Sequence, residues 1–173
     1  MADLVILSAE ELKARSQLER QVSRRAARER PLVRLILRAF LERGGPIPIE
    51  DIVSASSEGA PETIHDALVS LDDDDLIRVR SAQIDIAYPF SAAPTPFRVR
   101  LLDGREQYAC CATDALGMAP MVGQAVKIMS QCDHCAVSMG FSVTPDGPRA
   151  DADGVMVWFG KHGDDRCKAI DGL

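Results

Sequence analysis

The sequence predicts an α+β protein in which a helical amino-terminal unit is followed by a small, strand-rich domain. Two observations lead to this fold class. Apolar residues recur at helical spacing up to about residue 76, and short runs rich in valine and isoleucine, typical of strands, follow from there on. With 173 residues, 46% of them apolar, the chain is long enough to bury a core of ordinary size.

The amino-terminal half contains four segments that are predicted to be helical. The first begins with Ser8 and Glu11 in the spacing of a capping box but has little apolar content, so we expect an exposed helical extension over residues 1–30. An amphipathic helix is predicted from Pro31, because proline favours the first turn and the apolar residues that follow share one face. Two shorter helices follow, in the segments IPIEDIVSASS and APETIHDALVSLDDDDLI.

These last three helices precede the segment LIRVRSAQIDIAYPF, which has the alternation of strands. Residues 31–87 therefore resemble a winged helix-turn-helix unit. If this unit bound DNA, its third helix would enter the groove and should be basic. That helix instead contains Glu62, Asp66 and an acidic run at residues 72–75. We therefore predict a packing role for the unit and do not expect it to bind nucleic acid.

A proline-punctuated segment, YPFSAAPTP, is predicted to connect this unit to a second domain over residues 88–173. The segment FRVRLL is predicted to form a strand, and REQYACCATDAL is predicted to form a helix. Three further strands are predicted in AVKIMSQC, MGFSVTP and GVMVWFG. The second domain is thus expected to be a small α+β unit in which strands predominate.

Charge and composition exclude several classes of function. The net charge is −6, but residues 10–43 carry ten Lys or Arg against five Glu, so the remainder of the chain carries −11 and is poorly suited to nucleic acid. The sequence has neither an apolar leader nor a run long enough to cross a membrane, which predicts a cytoplasmic protein. Phosphate-binding loops, dinucleotide fingerprints and nucleophile-elbow motifs are absent from the sequence.

All five cysteines lie in the last 64 residues, and an odd cluster of this kind in a reducing compartment favours metal or thiol chemistry over disulfides. The segment YACCATDALG contains Cys110 and Cys111, with Asp114 three residues after the second. In a helix, Cys111 and Asp114 would share a face, whereas Cys110 would project about 100° away and is expected to be core. A carboxylate raises the pKa of a neighbouring thiol, so the pair suits proton delivery better than nucleophilic attack. By spacing alone, packing of both groups remains an alternative.

The segment CDHC, residues 132–135, contains a single C-x-x-C pair. A structural zinc site needs four ligands and usually has two such pairs, so Cys111, Cys167 or His162 would have to complete it. A redox pair and packed or free thiols are the alternatives that the spacing leaves open.

The segment from residue 86 to residue 147 resembles the organomercurial (alkylmercury) lyase family. The matching features are a Y-A-x-C-A-x-D block at residues 108–114, an L-x-x-x-P-x-x-G continuation from Leu116 to Gly123, Cys132 about twenty residues after Cys111, and an SVTP-like strand. The helical unit before this segment is similar to the winged-helix-like amino-terminal region of the family.

The resemblance implies protonolysis of a carbon–mercury bond, which yields a hydrocarbon and Hg(II). By residue-by-residue matching, Cys111 is the first mercury-binding thiol, Asp114 transfers the proton, and Cys132 corresponds to a cysteine regarded as structural. The late second thiol of the family corresponds to Cys167, 56 residues after Cys111, with Cys135 and Cys110 as alternatives. Thiolates suit mercury because it is a very soft metal.

No resident cofactor is expected, since mercury enters as substrate and leaves as product. The implied partners are a small organomercurial, small thiols and a mercury-accepting reductase. The alternative function is a non-catalytic, regulatory protein of the same fold that binds soft metals or thiols, with zinc or copper at the CDHC pair.

Overall fold

The computed structural model describes residues 30–57 and 59–157. The amino-terminal part contains three helices, α1 (Pro31–Arg43), α2 (Ile49–Ala55) and α3 (Pro61–Asp73), with a short strand β1 (Ile47–Pro48) between the first two. These bounds confirm the three helices predicted from residue 31 onwards. The predicted extension lies outside the described residues, except for Arg30.

The remaining elements are mostly strands. They are β2 (Ile77–Arg80), β3 (Gln83–Ala87), β4 (Phe90–Ser91), β5 (Arg98–Arg100), β6 (Glu106–Ala109), helix α4 (Ala112–Val122), β7 (Val126–Gln131), β8 (Ser138–Thr144), β9 (Gly147–Pro148) and a short 3₁₀ turn (Ala150–Ala152). Within the described residues the strands form a single antiparallel sheet in the order β1-β3-β4-β6-β5-β7-β8-β9, and β2 also pairs with β3. The fold is therefore α+β, as predicted.

Two predicted elements are wrong. The helix predicted in REQYACCATDAL begins only at Ala112, because Glu106–Ala109 alternate in burial and pair on both sides, with β4 and with β5. The strand predicted in GVMVWFG is absent over residues 154–157, and its last three residues lie outside the described residues. A 3₁₀ turn at Ala150–Ala152 precedes this segment. In that turn both carboxylate oxygens of Asp151 accept from the backbone N–H of Ser142 on β8, at 3.0 and 3.1 Å.

One hydrophobic core continues across residues 88–96. It takes Ile36 and Phe40 from α1, Phe90 from β4 and Met118 from α4, each at most 1% exposed. The rings of Phe40 and Phe90 stack, with centroids 5.8 Å apart and an angle of 7° between their planes. The division into domains at residue 88 stays a prediction.

Helix α4 lies against β6, β7, β8 and β9, and begins immediately after β6 ends. The connection is only two residues long and consists of Cys110 and Cys111. Both cysteines are therefore held at one end of the sheet, where the chain turns from strand to helix. No helix among residues 30–57 and 59–157 has the length and apolar character needed to cross a membrane.

Candidate functional site

Cys110 is the first residue of the β6–α4 connection and directly follows strand β6. Its backbone N–H donates to the Pro89 carbonyl at 3.0 Å, and its thiol donates to the Phe90 carbonyl at 3.2 Å. The side chain is 5% exposed, which confirms the prediction that it belongs to the core. Burial, followed by the charge of Asp114, raises the pKa of the Cys110 thiol far above its ordinary value. Cys110 is consequently a packed, protonated thiol.

Cys111 is the N-cap residue of α4, with extended backbone angles, and not a residue within the helix as predicted. The predicted proximity to Asp114 nevertheless holds, because side chains at the N-cap and three residues later meet in the first turn. The Cys111 thiol donates to Asp114 Oδ2 at 3.0 Å. Its sulfur also lies 2.9 Å from the hydroxyl oxygen of Thr113.

Thr113 was not among the predicted site residues. Its hydroxyl contacts the sulfur of Cys111 from the outer, exposed side of the first helical turn. A hydroxyl residue two positions after an N-cap was the available signal. Cys111 and Asp114 themselves are half-buried, so the thiol and the carboxylate form a small polar pair that is partly accessible to solvent.

The electrostatics of this pair favour a protonated thiol. Burial, and next the negative charge of Asp114, raise the pKa of the Cys111 thiol, while the hydrogen bond with Thr113 acts in the opposite direction. The proton therefore resides on sulfur and points at the carboxylate. If a soft metal bound to the sulfur, it would displace this proton. The Asp114 carboxylate, 3.0 Å from the sulfur, is a base in position to accept it.

The CDHC pair lies in the turn between β7 and β8. Cys132 is half-buried, Cys135 is exposed, and neither is in a disulfide. Hydrogen bonds from the backbone N–H groups of Cys135 and then of His134 lower the pKa of the Cys132 thiol. Within the part of the chain that the structure describes, no three His, Cys, Asp or Glu side chains converge on a metal position. A four-ligand zinc site is thus not assembled by these residues.

The thiols differ enough to predict an order of alkylation. Iodoacetamide at neutral pH is expected to modify Cys132 first, Cys111 more slowly and Cys110 slowest, because the thiolate is the nucleophile and each unit of pKa changes its fraction about tenfold. Peptide mass spectrometry of timed samples measures the order. The differences should vanish in denaturant, and rapid modification of Cys110 in the folded protein would contradict the assignment.

Cys167 and His162 lie outside the described residues, so their distance from Cys111 is not given by the structure. The roles predicted for Cys111, Asp114, Cys132 and Cys167 stay predictions. Of the predicted site residues, the structure brings Cys111 and Asp114 into direct contact and holds Cys132 and Cys135 together in a separate turn.

Comparison with known proteins identifies the region that contains this pair. Residues 90–172 match the family model of alkylmercury lyase, MerB. The alkylmercury lyase of Staphylococcus epidermidis is 32% identical over 119 residues, which is 68% of this chain and 50% of that protein. The region from residue 90 to residue 172 belongs to the alkylmercury lyase family.

Further members of the alkylmercury lyase family agree with this assignment. The alkylmercury lyase of Streptomyces lividans is 27% identical over 124 residues, or 70% of this chain and 54% of that protein. A crystal structure of the mercury-bound form of MerB2 superposes with a TM-score of 0.60 at 17% identity, over 76% of this chain and 64% of that one. This likeness confirms the α+β fold. The chain spans about half the length of the curated relatives that it matches.

Proposed function

We propose that this protein is an organomercurial lyase, an enzyme that cleaves carbon–mercury bonds by protonolysis and yields a hydrocarbon and Hg(II). Membership of the alkylmercury lyase family supports the reaction class. The single observation that carries the proposal is the 3.0 Å hydrogen bond between the Cys111 thiol and the Asp114 carboxylate. It joins a soft-metal ligand to a proton carrier at one point of the fold.

In the proposed mechanism the organomercurial cation binds first to Cys111. Its thiol has a raised pKa and is protonated at neutral pH, so formation of the sulfur–mercury bond releases a proton, which Asp114 accepts. A second thiol then loses its proton to solvent as it adds to the metal, and the two sulfurs push electron density toward the bound carbon. Asp114, now a carboxylic acid, donates its proton to that carbon as the carbon–mercury bond breaks. The hydrocarbon leaves, and Hg(II) remains on two sulfurs.

We propose Cys167 as the second thiol, following the match to the family. Cys110 is a poor substitute, because its sulfur is buried and donates to the Phe90 carbonyl. A small thiol from solution could occupy the same coordination position, because Cys111 is only half-buried.

The proposed substrate is a small organomercurial, and small thiols or a mercury-accepting reductase are the proposed acceptors of Hg(II).

We also propose that residues 31–87 form a winged-helix-like unit with a packing role. Support comes from the three helices followed by the antiparallel pair β2 and β3. The acidic residues of α3 disfavour binding of nucleic acid by this unit. A cytoplasmic location stays a prediction.

The test is the release of benzene from phenylmercuric acetate by reduced protein in excess thiol, measured by gas chromatography. We expect release well above that of the thiol alone. Cys111→Ala and Asp114→Ala variants, checked for folding by circular dichroism, supply the background. Benzene release by the unaltered protein at the level of these variants would refute the lyase proposal.

The two free cysteines of the CDHC turn, one half-buried and one exposed, favour one alternative, a non-catalytic protein that binds soft metals. Native mass spectrometry of protein purified without chelator tests it. A stoichiometric zinc or copper ion that disappears in the Cys132→Ser, Cys135→Ser variant, together with no benzene release, would favour this alternative.

A further inference from the structure

We propose that Cys132 and Cys135 form a second mercury site, a surface dithiol that receives Hg(II) from Cys111. The binding site itself is argued from the turn geometry alone. The delivery step rests on the proposed lyase function, and the experiments below separate the two.

The turn between β7 and β8 holds the two sulfurs together. Its ends are closed by hydrogen bonds from Cys132 N–H to the Val137 carbonyl at 2.9 Å and from Ala136 N–H to the Cys132 carbonyl at 2.8 Å. Ala136 has a φ of +56°, which reverses the chain directly after Cys135. Cys132 and Cys135 are three positions apart within this closed turn. The fold therefore holds both thiols in one short loop before any metal binds.

The ligand set selects the class of metal. Among the described residues no third cysteine, histidine or carboxylate joins the pair, whereas tetrahedral zinc requires four ligands. Soft ions of the d¹⁰ type, such as Hg(II), accept two thiolates in a linear arrangement and need no further ligand. The exposed position of Cys135 leaves room for a metal to enter from solution or from another thiol.

The sheet register brings this dithiol to the same end of the molecule as Cys111. Strand β5 lies between β6 and β7, and Arg98 pairs with Tyr108 on one side and with Met129 on the other. Cys111 follows Tyr108 by three residues, and Cys132 follows Met129 by three residues. Both strands are antiparallel to β5 and run in the same direction, so the two cysteines follow the strand ends at the same end of the sheet. The two strands themselves lie two strand spacings, or about 10 Å, apart.

The transfer is a thiol exchange without oxidation or reduction. Hg(II) held by Cys111 and a second thiol passes to the pair as two S–H bonds of Cys132 and Cys135 break and two new S–Hg bonds form. The two old S–Hg bonds break, and the protons return to Cys111 and to its partner thiol. The enzyme's thiols are thereby ready for another substrate, while the metal lies at the surface.

The binding site is tested with HgCl₂ on the full-length chain. A Cys111→Ser, Cys167→Ser variant, which keeps the dithiol, is expected to retain one Hg(II) per chain after gel filtration in excess monothiol, measured by elemental mass spectrometry. Addition of Cys135→Ser should remove this ion and weaken binding about 10²–10⁴-fold, because the chelating second thiol is lost. Cys132→Ser should act alike, and Asp133→Asn serves as the matched control within the turn. Retention of the ion after Cys135→Ser, or no retained ion in the parent variant, would overturn the proposal.

Delivery is tested by one turnover of the unaltered protein with one equivalent of phenylmercuric acetate, followed by alkylation. We expect Cys132 and Cys135 to be protected and Cys111 to be modified, with the reverse pattern in the Cys135→Ser variant. Protection of Cys111 in the unaltered protein after benzene release would refute delivery. Absence of benzene would refute the lyase function instead, and the HgCl₂ experiment would still decide the dithiol site.

Discussion

Replacement of Asp114 by asparagine is expected to lower benzene release from phenylmercuric acetate by about 10²–10⁴-fold, the contribution typical of a positioned general acid. Asparagine keeps the size of the side chain but cannot carry the proton that Cys111 now directs at Oδ2. Binding of phenylmercury to Cys111 should persist, because the sulfur ligand is unchanged. Benzene release and bound mercury, measured on the same samples, separate the two steps.

The rate of alkylation of Cys111 distinguishes an electrostatic role of Asp114 from a packing role. Its negative charge helps to raise the pKa of the Cys111 thiol, so the Asp114→Asn variant should show faster alkylation of Cys111 at neutral pH. Asp103→Asn is the matched control, since Asp103 pairs with Arg105 on the exposed turn before β6, whereas the cysteines follow the other end of that strand. A variant at position 114 that keeps more than about a tenth of the activity would contradict a general-acid role.

Replacement of Phe90 by alanine is expected to lower the free energy of unfolding by about 3–5 kcal/mol, as is usual for a fully buried phenylalanine. Phe90 is 0% exposed and stacks on Phe40, so it joins helix α1 to the sheet that carries the cysteines. Urea unfolding followed by circular dichroism measures the change. Phe40→Ala should have a similar effect, and the two changes should be non-additive because the rings contact one another.

Val69→Ala is the matched control for this prediction, because Val69 lies on α3 and is 61% exposed. Its effect should remain within about 0.5 kcal/mol. The same unfolding curves test the division at residue 88. A single transition that moves in both phenylalanine variants would indicate one cooperative unit, whereas two transitions, of which only one responds, would support separate domains.

Much of the local structure could be predicted from the sequence. The α+β class, the helix that begins at Pro31 and the two helices after it follow from apolar periodicity, which each segment carries within itself. The contact between Cys111 and Asp114 was also predictable, since three residues of spacing bring side chains together at the start of a helix. The burial of Cys110 was also predicted, but from a helical geometry that the structure does not have, because Cys110 directly follows strand β6.

The errors arose where pairing with distant segments decides the conformation. Residues 106–109 have no strong preference of their own, and they form a strand because β4 and β5 offer hydrogen-bonding partners on both sides. This pairing moved the start of the helix to Ala112 and made Cys111 its N-cap. The strand predicted beyond residue 153 had no such partner within residues 154–157.

The sequence by itself thus predicted the candidate site residues, from the local spacing of Cys111 and Asp114, the C-x-x-C pair and the longer family pattern around them. Only the tertiary structure decided where these groups stand relative to one another. The register of β6, β5 and β7 carries Cys111 and Cys132 to one end of the sheet, although 21 positions separate them in the chain. The physical reason is that backbone pairing across a sheet is a non-local interaction, which depends on the whole set of strands and is not encoded in any one of them.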